Sequence, residues 1–216
     1  MYTPTIQLDT RVLTPDQRSA FNRTTPGRLF MNIRSLMDPA SILIFGCGTS
    51  SSPYVTAVYF PQCTVQAYDR NKEKIRLARN RGLQHMHVEY SDKKPNRTFD
   101  VVLGLAVIHE DTLSISREIA SYAKVGGYVR IIDYAMKGMD IGEFFSRWGQ
   151  LKSEFRERRL LGDKQAHKIH TRLGLEDCLG LMDQAGFNTK LAIPKVVRQW
   201  GGGLTIHFIY LGQRVC

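Results

Sequence analysis

Residues 41–69 constrain the fold of this chain more than any other stretch. A β-branched run, Ser41-Ile42-Leu43-Ile44-Phe45, breaks into Gly46-Cys47-Gly48-Thr49-Ser50. A helix-length segment follows, and a second apolar run, Thr64-Val65-Gln66-Ala67-Tyr68, ends on Asp69. Glycines straight after a buried strand let the backbone turn tightly and come close to a ligand, because no Cβ stands in the way. An acidic residue about 20 positions on, at the tip of the next parallel strand, is placed to accept hydrogen bonds from a ribose. The stretch therefore predicts a site for an adenosine-bearing cofactor and leaves open which one.

The rest of the chain keeps the alternation going. Helices are expected at 53–60 and at 71–81, the latter basic and stopped by Gly82. Strands are expected at 85–90 and 99–105, separated by the polar loop 91–97, and 99–105 reads as a fully buried parallel strand. A helix over 111–124 ends before Gly126-Gly127, and a strand over 128–134 finishes on Asp133-Tyr134. After the charged, aromatic insertion 135–171, a helix over 172–185 is capped by Gly186. Strands at 188–195 and 205–211, around Trp200-Gly201-Gly202-Gly203, read as an antiparallel hairpin. Residues 1–40 form an irregular N-terminal extension with short helices near 15–22 and 27–37, where Leu29, Phe30, Ile33 and Met37 share a face. The expected fold is thus one α/β domain over 1–216: a doubly wound, mostly parallel, seven-stranded sheet with a C-terminal antiparallel hairpin and helices on both faces.

This order of elements resembles the class I S-adenosylmethionine-dependent methyltransferases, in particular the small-molecule branch that serves ubiquinone and menaquinone biosynthesis. The resemblance covers about residues 28–215. It rests on Gly46-Cys47-Gly48-Thr49, on Asp69, on the run from Phe99-Asp100-Val101-Val102-Leu103-Gly104-Leu105 through Ala106-Val107-Ile108-His109, and on the Lys124-Val125-Gly126-Gly127-Tyr128 turn. It implies S-adenosylmethionine as cofactor and S-adenosylhomocysteine as product. Gly46, Cys47 and Gly48 would let the backbone pass close to the methionine part, and Asp69 would bind both ribose hydroxyls. Ser91 or Asp92 would approach the adenine amino group, and Gly104, Leu105 and Ala106 would line the cofactor. Two positions depart from the family's pattern. Ile44 stands where an acid usually helps to hold the cofactor's ammonium group, so Asp111 or another acid would have to compensate, and Ser50 replaces a third glycine.

In such an enzyme catalysis can be mainly alignment, with effective molarity supplying much of the rate. A general base is needed only when the acceptor must lose a proton. His109, just beyond the fourth strand, is the leading candidate, and Tyr134 faces the same rim; for both the alternative is a plain structural role. In the insertion, Ile141, Phe144, Phe145, Trp148 and Leu151 form one apolar stripe. That stripe fits ordinary packing, or a helical lid with Phe144, Phe145 and Trp148 walling an acceptor. His170 is a candidate substrate contact. His167 and His170 lack an acidic or cysteine companion, so no metal site is expected.

Ser51 stands where a dinucleotide-binding GxGxxG would need its third glycine, and no lysine follows the turn as in a P-loop. There is no Asn/Asp-Pro-Pro-Tyr run at the end of the fourth strand, which argues against methylation of base amino groups. The 30 Lys+Arg against 20 Asp+Glu give a net charge of +10, which keeps an RNA partner open. Four cysteines without CxxC spacing indicate neither a zinc site nor a disulfide framework. With no apolar run long enough to span a bilayer and no leader-like N-terminus, a cytoplasmic protein is expected, free to form oligomers. The function expected is methyl transfer to a small-molecule acceptor. The alternatives are an RNA methyltransferase and a catalytically silent cofactor- or partner-binding relative.

Overall fold

The computed structural model of the 216-residue chain describes residues 33, 36–50, 52–81, 88–105, 112–134, 175–198 and 204–216. The described strands make up a seven-stranded sheet, and the chain divides into two compact units, 1–94 and 95–216.

The first unit runs β1 (Ser41–Phe45), α1 (Ser52–Tyr59), β2 (Thr64–Tyr68), α2 (Lys72–Arg81), β3 (Val88–Ser91). β1 pairs parallel with β2 from Ser41↔Thr64 to Phe45↔Tyr68, and β2 pairs parallel with β3 from Val65↔Val88 to Tyr68↔Ser91. Ile42, Leu43 and Ile44 are fully buried, which is why β1 reads as a continuous apolar run rather than an alternating one. Each such side chain contributes roughly 1.5–3 kcal/mol of burial. Helix α1 is eight residues long and its residues 53–58 are all buried, so it needs no polar face. Helix α2 is amphipathic: Ile75 and Ala78 are buried, while Lys72, Arg76 and Arg79 are exposed. Its N-cap is Asn71, whose Oδ1 accepts from the backbone N–H of Glu73 (3.0 Å) and of Lys74 (3.1 Å).

The second unit runs β4 (Phe99–Leu105), α3 (Thr112–Tyr122), β5 (Ala123–Tyr134), α4 (Leu175–Gln184), β6 (Phe187–Arg198), β7 (Leu204–Arg214). β4 and β5 are parallel, while β7 is antiparallel to both β5 and β6, giving the order β4-β5-β7-β6. The mostly parallel sheet closing on an antiparallel hairpin is the fold class expected from the sequence.

The largest difference lies at β5. It begins at Ala123, paired with Phe99, not at 128, and α3 stops at Tyr122. The glycine pair therefore sits inside the strand, beside a register shift between Phe99 and Val101, as a bulge rather than a helix-to-strand turn. Gly126 has φ 81°, and a Cβ on Gly127 would lie 2.9 Å from the Asp100 carbonyl oxygen. Lys124 Nζ donates to Asp100 Oδ1 at 2.7 Å across the same start. β6 and β7 extend beyond the expected 188–195 and 205–211 because their register continues to Arg198↔Leu204. Pro194 is accommodated in β6, whose described pairing is with β7 alone. Gly186, at φ 81°, closes α4 as expected, donating its N–H to Asp183 O at 2.9 Å.

Near the N-terminal extension, Leu36 N and Met37 N both donate to Ile33 O at 3.0 Å, and Ile33 is fully buried. The expected helix at 15–22, the insertion 135–171 and the turn 200–203 lie outside the described residues. Among the described residues no helix is long and apolar enough to cross a membrane.

Candidate functional site

The turn after β1 is built as the glycines suggest. Gly46 (φ 64°) and Gly48 (φ 56°) both occupy the left-handed region, where a side chain is strained. A Cβ placed on Gly48 would meet no atom of the described residues within 4 Å, so among them its side of the turn is open to an approaching ligand. Between them, Cys47 N donates to Tyr68 O at 3.0 Å, which carries the β1–β2 ladder one step beyond the strand. Ser50, in place of a third glycine, closes the turn: its hydroxyl donates to Cys47 O (2.8 Å) and accepts from Ser52 N (3.3 Å) at the start of α1.

Asp69 faces this turn from the end of β2. Its Oδ2 accepts from Gly48 N at 2.9 Å and its Oδ1 from Asn71 N at 2.8 Å. Its own N–H donates to Ser91 O at 3.3 Å, extending the β2–β3 ladder. A carboxylate has about four acceptor positions, so one that orders its own turn can also accept from the hydroxyls of a ligand. At 7% exposure it is shielded from water, which strengthens such bonds. The same Asn71 that donates to Asp69 caps α2, so acid, cap and helix start form one unit.

The surrounding polar groups are held neutral or paired. Burial, together with the negative charge of Asp69, pushes the Cys47 thiol well up from its ordinary value; the hydrogen bond at its own backbone and the charge of Lys74 act the other way. Burial likewise raises the Tyr90 phenol, with Cys47 adding to it and Arg79 opposing. Cys47 is therefore a small, protonated spacer, not a nucleophile. Among the described residues no group of three or more His, Cys, Asp or Glu is arranged to hold a metal ion.

Of the residues singled out in the sequence, Gly46, Cys47, Gly48, Asp69 and Ser91 come together in the first unit. Ser91 uses its hydroxyl locally, accepting from Lys93 N (3.0 Å) and donating to Lys93 O (3.1 Å), and this turn presents the exposed Asp92. In the second unit Gly104 is buried near the end of β4 opposite Ile131, and Leu105 ends that strand opposite Ile132. Tyr134 ends β5, paired with His207. Ala106, His109, Asp111, Phe144, Phe145, Trp148 and His170 lie outside the described residues. Ile44 is a fully buried strand residue paired with Ala67, so that position carries core packing. Sequence reasoning missed Asn71, although Asn directly before a helix is an N-cap signal. It also missed Lys74, which is only 7% exposed within a helix that reads as solvated and basic.

No protein-family model and no curated protein matches the chain. Solved structures do. A methyltransferase from Methanosarcina mazei, described as S-adenosylmethionine-dependent, is similar at 16% identity with a TM-score of 0.60, over 86% of this chain and 97% of that one. The fold is that of the S-adenosylmethionine-dependent methyltransferases. The methyltransferase fold is also matched by the magnesium protoporphyrin IX methyltransferase of Synechocystis with bound S-adenosylhomocysteine, at 15% identity and TM-score 0.61, over 92% of this chain and 85% of that one. The plantazolicin methyltransferase, again in complex with S-adenosylhomocysteine, gives 15% identity and TM-score 0.58, over 95% and 93%.

Proposed function

We propose that this chain is an S-adenosylmethionine-dependent methyltransferase acting on a small-molecule acceptor. The observation that carries the reading is the 2.9 Å hydrogen bond from Gly48 N to the Asp69 carboxylate, which fixes an acid against an open glycine turn in a methyltransferase fold. The residues fit the cofactor: the open side of Gly48 admits close backbone approach, and buried Asp69 supplies acceptors for two ribose hydroxyls. Ser91 or Asp92 would meet the adenine amino group. When bound, the cofactor supplies a methyl group on a sulfonium that is already a good leaving group.

The work left to the chain is to hold both reactants and exclude water, so that orientation supplies the rate. His109 takes a proton where the acceptor must lose one. The small-molecule acceptor is supported by the magnesium protoporphyrin IX methyltransferase among the similar structures.

Calorimetry with S-adenosylhomocysteine tests the reading. The wild-type chain is expected to bind one equivalent, and Asp69→Asn to bind at least about tenfold more weakly, the loss of one or more charge-assisted hydrogen bonds. No binding by the wild-type chain at millimolar ligand would overturn it. RNA that co-purifies with the chain and dissociates steeply with salt would replace the small molecule by RNA as acceptor.

A further inference from the structure

We infer that Lys74, a residue only 7% exposed, is a positioning residue for Asp69: its positive charge holds that carboxylate ionised and turned into the glycine turn. Lys74 occupies the third position of α2, where helical spacing places it beside the core residues Ile75 and Ala78. A cation there is doubly unfavourable, because it lies at the positive end of the helix dipole and is only 7% exposed. A buried lysine is retained in such a place when an anion compensates it. Asp69, equally buried at 7%, is joined to the same helix turn: Asn71 donates its N–H to Asp69 Oδ1 and accepts the Lys74 N–H at its side-chain oxygen. Both charges also act, with opposite sign, on the one Cys47 thiol inside the glycine turn.

Among the described residues, the other titratable groups around the carboxylate do not take this role. Cys47 from the turn and Tyr90 from β3 remain protonated and neutral. Asp92, just after β3, carries the same sign as Asp69 and is exposed, as are Arg70 and Arg79; Arg79 Nη2 donates to the Tyr90 carbonyl at 2.9 Å. Glu73 and Arg76 pair with each other on the outer face of α2. Lys74 is the buried cation of this group. The inference deepens the cofactor-site reading, since an ionised Asp69 is what ribose hydroxyls require, and it stands on the first unit alone.

The test compares wild type, Lys74→Met and Lys74→Arg as full-length chains, with aspartate carboxyls labelled with carbon-13 and Asp69 assigned by its loss in Asp69→Asn. Methionine restores the apolar face of α2, and circular dichroism checks that the fold is kept. The expected result is an Asp69 titration midpoint about 1–3 pH units higher in Lys74→Met and close to wild type in Lys74→Arg. In parallel, S-adenosylhomocysteine affinity of Lys74→Met falls earlier on acidification, while Lys74→Arg follows the wild-type pH profile. An unchanged midpoint in Lys74→Met overturns the inference. A wild-type chain that binds no S-adenosylhomocysteine overturns the methyltransferase reading instead, and the carboxyl titration then still decides the role of Lys74.

Discussion

Gly48 separates two demands that often coincide in one residue. Its φ of 56° strains any side chain, whereas no described residue has an atom within 4 Å of a Cβ there, so no collision with them adds to the strain. Gly48→Ala is therefore expected to fold normally and to lose only about 1 kcal/mol of stability, measured as a lower urea midpoint at unchanged slope. If the proposed cofactor site is right, S-adenosylhomocysteine affinity should fall by more than that, because the new methyl group would project into the side from which the cofactor approaches. Equal losses of stability and affinity would place the ligand elsewhere. The glycines and Asp69 were legible in the sequence because their positions relative to the strands follow from local pattern. Lys74 was not, since nothing in Lys72–Arg81 distinguishes a solvated lysine from one that points inward.

At the level of elements, ends are often completed from far away. Helix α3 has no basic residue in its last turn, yet Arg214 at the end of β7 supplies one. Its Nη1 donates to Ala120 O (2.9 Å) and Ala123 O (2.7 Å), and its Nε to Cys216 O (2.8 Å). A cation there satisfies carbonyls that the helix leaves without partners and opposes the negative end of the dipole. Arg214→Ala should destabilise the chain by about 1–2 kcal/mol and speed amide exchange in the last turn of α3 more than in α2; uniform exchange would show the contact to be inert. The start of β5 has the same character. Read locally, 111–124 followed by Gly126-Gly127 is a helix and a turn; the pairing of Ala123 with Phe99 makes it strand and bulge.

Across the molecule, buried weak acids tie stability to alkaline pH. Burial pushes the Cys178 thiol up to about 12, with Asp133 adding to it, and the Tyr210 phenol up to about 12; Cys47 and Tyr90 are raised as well. In the unfolded chain thiols release protons near pH 8.5 and phenols near pH 10, to within about a unit. The folded state then holds more protons than the unfolded one, so stability falls as pH rises. This contribution is fully present below about pH 8 and is lost between about 8.5 and 12. Arg130, pushed down to about 10 by burial, acts in the opposite sense, one group against four. The melting temperature should therefore drop steadily from pH 8 to pH 11 in a circular-dichroism series, and a flat curve would contradict the burial of these acids.

The sequence by itself determined the alternation of strands and helices, the left-handed turn after β1 and the acid after β2. Each depends on residues within a few positions of one another: β-branched runs and glycines without Cβ. The tertiary structure alone decided which charges are inside. Arg130, Asp133, Asp69 and Lys74 are all buried, although their segments also contain charges that stay in water. Burial is set by what packs over a residue, and that partner is remote in sequence, as Phe99 is to Ala123 and Ala120 to Arg214. Local pattern thus placed the glycine turn and the acid that faces it, and long-range packing set the electrostatics around that acid.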